Sequence, residues 1–327
     1  MRTTELQVSD DAAGQRLDKF LRRALGDVPL GHIFRLLRTR RVRVNGVPAK
    51  AAQLLLAGDT IVIRGVESSP TSSRSAARSR TATPTFRTVF EDEYLLIVDK
   101  PAGLAVHTGS GISGATLVDE VRAYLGVSSR LPVTEFSPSP AHRLDRDTSG
   151  LVVVAKTRRC MVPLAAMFSS GAGVTKTYVA LARGRLEQRE GSIDLALAER
   201  GQSESSRREH GPNLQPAVTR FRVIESTAEA SLLRLVIDTG RTHQIRRHLE
   251  ALGHPVAGDR RYGDGVFNRF ARVRWGLSRM FLHARTLEMS HPISGARLRF
   301  DAALPEELEA VLQRAGFAFA DTGAGRV

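Results

Sequence analysis

From Glu67 to Phe86 the chain reads ESSPTSSRSAARSRTATPTF, a run of Ser, Thr, Ala, Arg and Pro with almost nothing to bury. Such a stretch cannot offset the entropy of ordering its backbone, so it is expected to be a flexible linker. It constrains the rest of the chain strongly, because whatever folds on either side must build its own core. The expected layout is a compact module at 14–66, the linker at 67–86, a larger domain at 87–317 and a disordered tail at 318–327.

The first module carries two helical faces. Leu17, Phe20, Leu21 and Leu25 recur at helical spacing, and Ile33, Phe34, Leu36 and Leu37 form a second apolar face. RRVRVNG then alternates, with Val42 and Val44 on one side, and Asn45-Gly46 turns the chain. LLLAGDTIVIRG supplies a Gly58-Asp59 turn and a closing strand. Between Leu30 and Lys50 stand Arg35, Arg38, Arg40, Arg41, Arg43 and Lys50, with no acidic residue among them. A solvated face normally mixes signs, so a single-sign patch is a candidate phosphate-binding surface. The layout, with its LLRTRRVRVNG turn, resembles the small αLβ RNA-binding domain of the ribosomal-protein-S-four type.

The whole chain agrees with a polyanionic partner. Its formal net charge is +14, and a bias toward Arg over Lys explains the choice of base but not the excess of positive over negative charge. Cys160 is the only cysteine, which excludes an internal disulfide and a cysteine-based zinc site. The amino terminus lacks the apolar core of a signal peptide, and no apolar run approaches the roughly 20 residues that span a bilayer. A cytoplasmic monomer without a membrane association is therefore expected.

Beyond the linker, short apolar runs recur: YLLIVDK, GLVVVAK, TYVALARG, ASLLRLVI and ARLRF. Helical stretches fall near 114–125, 158–168, 243–252 and 304–315, but not one after each strand. The pattern favours an α+β fold with a mixed, mainly antiparallel central sheet and flanking helices over a doubly wound one.

Inside this domain, HRLDRDTSG from His142 to Gly150 places two carboxylates two residues apart. DRDTSG begins like a calcium loop, yet the position that should hold a bidentate glutamate is Lys156, after a strand-like LVVVA. The histidines offer no HExxH spacing, so no metal is expected. A pair of cooperating acids remains open, since residues i and i+2 on a strand lie about 6.5–7 Å apart. So does a polar turn, which suits Asp147 before Thr148, Ser149 and Gly150. DKPAGLAVHTG follows a buried strand with a Pro-Gly break, and the segment from Asp238 to Asp264 gathers Arg241, His243, Arg246, Arg247 and His248 at one strand-to-helix junction.

HRLDRDTSGL, KPAGLAVH, KTYVAL, GRTHQIRRHL, GHPVAGDRRYG and LHARTLEMSHP occur in the order seen in the RluA family of RNA pseudouridine synthases, which the chain resembles from about 87 to 305. With the basic module in front, the architecture is similar to the RluC/RluD-like branch acting on large-subunit (23S) ribosomal RNA. The resemblance implies the pseudouridine synthase fold, no cofactor, and isomerisation of specific uridines after base flipping. It places the essential carboxylate on Asp145, its guanidinium partner on Arg246 and the active-site tyrosine on Tyr178, which would stack on uracil and help remove its ring proton. Ile245 matches the apolar wall, and Arg143, with Arg241 and His243, completes the expected pocket. Two alternatives stay open: a synthase acting on transfer RNA, and a non-catalytic RNA-binding ribosome-assembly factor.

Overall fold

The computed structural model describes residues 3–25, 28–65, 83–108, 114–127, 136–198 and 213–318. Most of the expected linker, the polar stretch 199–212 and nearly all of the expected tail lie outside the described residues. The chain divides into two compact units. One holds 1–84 with 121–139 and 156–161, and the other holds 85–120, 140–155 and 162–327.

In the first unit, strands β1 (Thr3–Gln7), β2 (Val42–Val44), β3 (Val47–Pro48) and β4 (Thr60–Arg64) form an antiparallel sheet ordered β1-β4-β2-β3. Helices α1 (Leu17–Ala24) and α2 (Leu30–Arg38) cover it, burying Leu17, Phe20 and Leu21 from one and Ile33, Leu36 and Leu37 from the other. Phe34 departs from the expected apolar face: it is 44% exposed, because a helix face of this width seats only the other three. Asn45 and Gly46 take φ of 50° and 78°, the two left-handed positions of a tight hairpin turn. Asn45 also ties this turn to the other one: its side-chain amide donates to Asp59 Oδ1 at 2.8 Å, and its Oδ1 accepts from the Thr60 N–H at 2.8 Å.

The second unit is built on a sheet that is ten-stranded among the described residues. Its members are β5 (Arg87–Glu91), β6 (Leu95–Lys100), β7 (Ser139–Pro140), β8 (Ser149–Ala155), β9 (Val174–Arg183), β10 (Glu190–Asp194), β13 (Val218–Ser226), β14 (Ala230–Ile237), β15 (Leu282–Ser290) and β16 (Arg297–Asp301). A separate ribbon pairs β11 (Leu197–Ala198) with β12 (Leu214–Gln215). The main order is β10-β13-β14-β9-β15-β8-β6-β5. Its long pairings are antiparallel except that of β8 with β15, which are parallel through Ser149–His283 and Gly150–Ala284. The expected mixed, mainly antiparallel sheet with flanking helices is thus the observed fold. Strand β8 is buried throughout, which is why its sequence reads as an unbroken apolar run and does not alternate.

Helices α3 (Leu117–Tyr124), α4 (Arg158–Ser170), α5 (Gln244–Ala251) and α7 (Glu306–Arg314) answer the four helical stretches read from sequence. Helix α6 (Gly265–Trp275) does not, and it packs Phe267, Ala271 and Trp275 against Leu308, Val311 and Leu312 of α7. Its Val266 and Val273 face outward at 83% and 77% exposure, which blurs the amphipathic pattern that would have revealed it. No helix among the described residues is long and apolar enough to cross a membrane.

Candidate functional site

The turn before β8 is stitched from two directions. Thr148 N–H donates to the Asp145 carbonyl at 3.1 Å, closing the loop on itself. The Arg146 carbonyl then accepts from Gly103 N–H at 2.8 Å and from Lys100 Nζ at 3.2 Å. Lys100 is fully buried and also donates to the Pro101 and Leu104 carbonyls at 2.8 and 2.9 Å. One ammonium thus spends its three donors fixing the KPAGL turn against the loop that carries Asp145. Sequence reading saw the shaped turn but not this lysine as its fastener.

Asp145 faces a second, longer-range anchor. Arg246, on α5, donates one N–H from Nη1 to Asp145 Oδ2 at 2.8 Å. Its other edge is taken by Asp259, with Nε at 2.6 Å from Oδ2 and Nη2 at 2.9 Å from Oδ1. Asp259 also accepts the N–H groups of Arg261 and Tyr262. Burial opposes its ionisation, but these bonds outweigh it and hold the carboxyl below its usual range. Burial likewise works against the Arg246 charge, and the two carboxylates reverse that, so its pKa is raised. The Tyr262 ring lies 5.1 Å from the guanidinium, and Tyr262 Oη sits 3.1 Å from His243 Nδ1.

His243 caps α5 in a left-handed conformation at φ 55°, a strained choice for a side chain with a Cβ. It brings His243 Nε2 to 3.7 Å from Asp145 Oδ1. The preceding GRTHQ turn is held by buried Gln244, whose Oε1 accepts from Thr239 Oγ1 and Arg241 N–H, while its Nε2 donates to the Val218 carbonyl.

These groups open onto a cavity of about 370 Å³. Asp145, Tyr178 and Arg246 line it together, as do Arg143, Ile245, Arg241 and His243. Asp147 is not among the lining residues, and its carboxylate instead meets Arg146 Nε at 3.3 Å. Burial, with the charge of Asp145 adding to it, raises the Tyr178 phenol above its ordinary pKa. Sequence reading missed Asp259, Lys176 and Phe168. The GDRRYG motif holding Asp259 was the only available signal for the first. Among the described residues no group of three or more His, Cys, Asp or Glu is placed to hold a metal.

His142 forms part of the same wall, stacked on Phe168 at 4.5 Å and accepting the Val153 N–H at 3.1 Å on Nε2. Burial, helped by the charge of Lys176, lowers its pKa to about 3. The unfolded chain takes up this proton near the ordinary value and the folded one does not. Stability is therefore fully present above about pH 6.5 and declines toward pH 3, by at most ~1.4 kcal/mol per pH unit from this group. Urea melts across that range should show a shallower decline in His142→Gln than in the parent. Equal slopes would remove His142 from the account.

The cationic residues of the first unit gather around α2 and β2. Arg35 and Arg38 lie on α2, Arg40 takes a left-handed turn at φ 55°, Arg41 and Arg43 flank or belong to β2, and Lys50 follows β3. All are exposed except half-buried Arg43, which donates to the Gly46 carbonyl at 3.0 Å.

Comparison with known proteins gives two family matches: RNA pseudouridylate synthase over residues 94–251 and the S4 domain over residues 15–61. The chain is 37% identical over 316 residues to the ribosomal large subunit pseudouridine synthase C of Vibrio cholerae, covering 94% of this chain and 96% of that protein. Its counterpart in Escherichia coli strain K12 is also 37% identical, over 314 residues and 95% of its length. Among solved structures, human RNA pseudouridylate synthase domain containing 1 matches with a TM-score of 0.53 and 25% identity, covering 70% of this chain and 87% of that one.

Proposed function

Since the chain belongs to the RNA pseudouridylate synthase family and is an isomerase acting on RNA, we propose that it modifies uridines of large-subunit ribosomal RNA in the cytoplasm with Asp145 as its essential carboxylate. The observation that carries the chemical part is the Asp145–Arg246–Asp259 chain at the head of the cavity. A guanidinium already fixed by a buried carboxylate presents one remaining donor edge to Asp145, which sets that carboxylate's direction before any substrate arrives.

Forming pseudouridine breaks the glycosidic bond at ring nitrogen one, turns the uracil and rejoins it to the same sugar through ring carbon five. Atoms and electrons balance without a co-reactant. Asp145 serves as the anion at the sugar or the base. Ile245 and Tyr178 wall the flipped base, and Tyr178 stacks on the uracil and helps remove its ring proton. The ribosomal target is supported by the names of the relatives above, and the cations from Arg35 to Lys50 would hold that RNA by its phosphates. Carbodiimide mapping of total RNA from cells with and without the gene tests target and reaction together. Loss of one or more 23S signals is the expected result, and loss confined to transfer RNA would overturn the target.

A further inference from the structure

Lys176 lines the same cavity as Asp145 and Tyr178, yet nothing in the reaction above uses it. It is only 6% exposed. Among the described residues its ammonium has no hydrogen bond or ion pair, and its nearest aromatic contact is the Phe168 ring, 5.9 Å from Nζ to the centroid. Asp238 attracts it from a distance, but that carboxylate is already paired with Arg220. The contrast is with Lys100, which is more deeply buried, has its pKa lowered to about 7 by that burial, and is met by three carbonyls. Burying an ammonium with no acceptor is unfavourable, and burial does lower the Lys176 pKa. The acceptor is thus missing among the described residues, at a point that opens into a substrate cavity.

Its position suggests the class of acceptor. Lys176 and Tyr178 stand two apart on β9, so they share a face about 6.5–7 Å apart. Tyr178 feels the charge of Asp145 and marks the acidic end of the cavity. Lys176 marks the other end, beside Gly240, where an added Cβ would lie 3.9 Å from Nζ. Arg241, next in the chain, lines the cavity too. A nucleotide with its sugar at Asp145 and its base on Tyr178 carries a phosphate about one sugar's width away. Uracil offers only neutral carbonyls, whereas the anions of RNA are its phosphates, which suit a compact ammonium. We propose that Lys176 is the phosphate-binding residue of the cavity, holding a phosphodiester adjacent to the flipped nucleotide. This rests on the reading of the cavity as a nucleotide site.

Uridine, uridine 3′-monophosphate and uridine 5′-monophosphate serve as probes, with affinities from NMR titration of the full-length protein and of Lys176→Met, which keeps the unbranched stem over Phe168. The parent should prefer at least one monophosphate over uridine by about tenfold, as one charge-assisted contact allows. Lys176→Met should bring that ratio close to one, and Lys176→Arg should keep part of it. In parallel, the salt dependence of KM on RNA should flatten by about 0.7 in the log–log slope, one single-strand phosphate contact. A parent without any preference sinks the subsite, as does an unchanged ratio in Lys176→Met. An equal loss for uridine and both monophosphates also sinks it, moving Lys176 to the base or sugar. If Lys176→Met does not fold, Lys176→Gln takes its place under the same criteria. A parent that discriminates the monophosphates yet makes no pseudouridine overturns the functional proposal and leaves the subsite standing.

Discussion

Asp145→Asn should bind RNA as tightly as the parent and lose pseudouridine formation by about 10³-fold or more, the scale of removing a reacting group. The substitution is nearly isosteric, and the amide oxygen can still accept the Arg246 donor that Oδ2 accepts at 2.8 Å. What disappears is the negative charge, and with it every route that needs a carboxylate anion at the sugar or base. Mass-spectrometric quantification of pseudouridine in RNA treated with each protein checks the turnover, and filter binding checks the affinity. Full turnover by Asp145→Asn would remove the carboxylate from the mechanism. Loss of RNA binding in parallel would make the residue structural.

Gly150→Ala should cost more stability than any surface change, roughly 4 kcal/mol or more. Its φ is 115°, and a Cβ there would lie 2.2 Å from the Ala284 carbonyl oxygen and 2.7 Å from the Ala284 nitrogen. Both atoms are backbone in a buried strand, so neither can swing aside. Gly46→Ala is the control: its φ of 78° is also left-handed, but nothing lies within 4 Å of the added carbon. That variant should lose only about 1 kcal/mol, the backbone cost alone. Urea denaturation compares the two, and similar losses would mean that the β8–β15 approach is not what requires glycine at 150.

The parts of the site legible in sequence were those carried by contiguous motifs. Asp145 and Arg246 each sit in a run of characteristic residues, and no pattern within either run shows that they meet across a hundred positions. Asp259 was not legible because GDRRYG reads equally well as a polar turn, and its bond to Arg246 exists only once α5 has docked. Lys100 and Lys176 look alike in sequence, each a lysine at the end or start of an apolar run. Their environments differ entirely: one is saturated by carbonyls and the other faces the cavity. Phe34 and α6 erred in opposite directions, an apolar residue left outside and a helix concealed by valines on its outer face. In both, the signal is which face a neighbour covers, and that is tertiary information.

The parallel contact of β8 with β15 has a kinetic consequence. It is two residue pairs long and is the only join in the main sheet order between the strands of Arg87–Ala155 and those of Val174–Ser290. Asp145 stands on one side of that join, and Tyr178 and Arg246 stand on the other. The β9–β15 pairing already brings together Val179 and His283, 104 positions apart, and the join brings together Ser149 and His283, 134 positions apart, so the join is the slower of the two to form. The cavity therefore exists only after the most distant contact in the sheet has been made. Recovery of activity during refolding should lag behind recovery of strand structure.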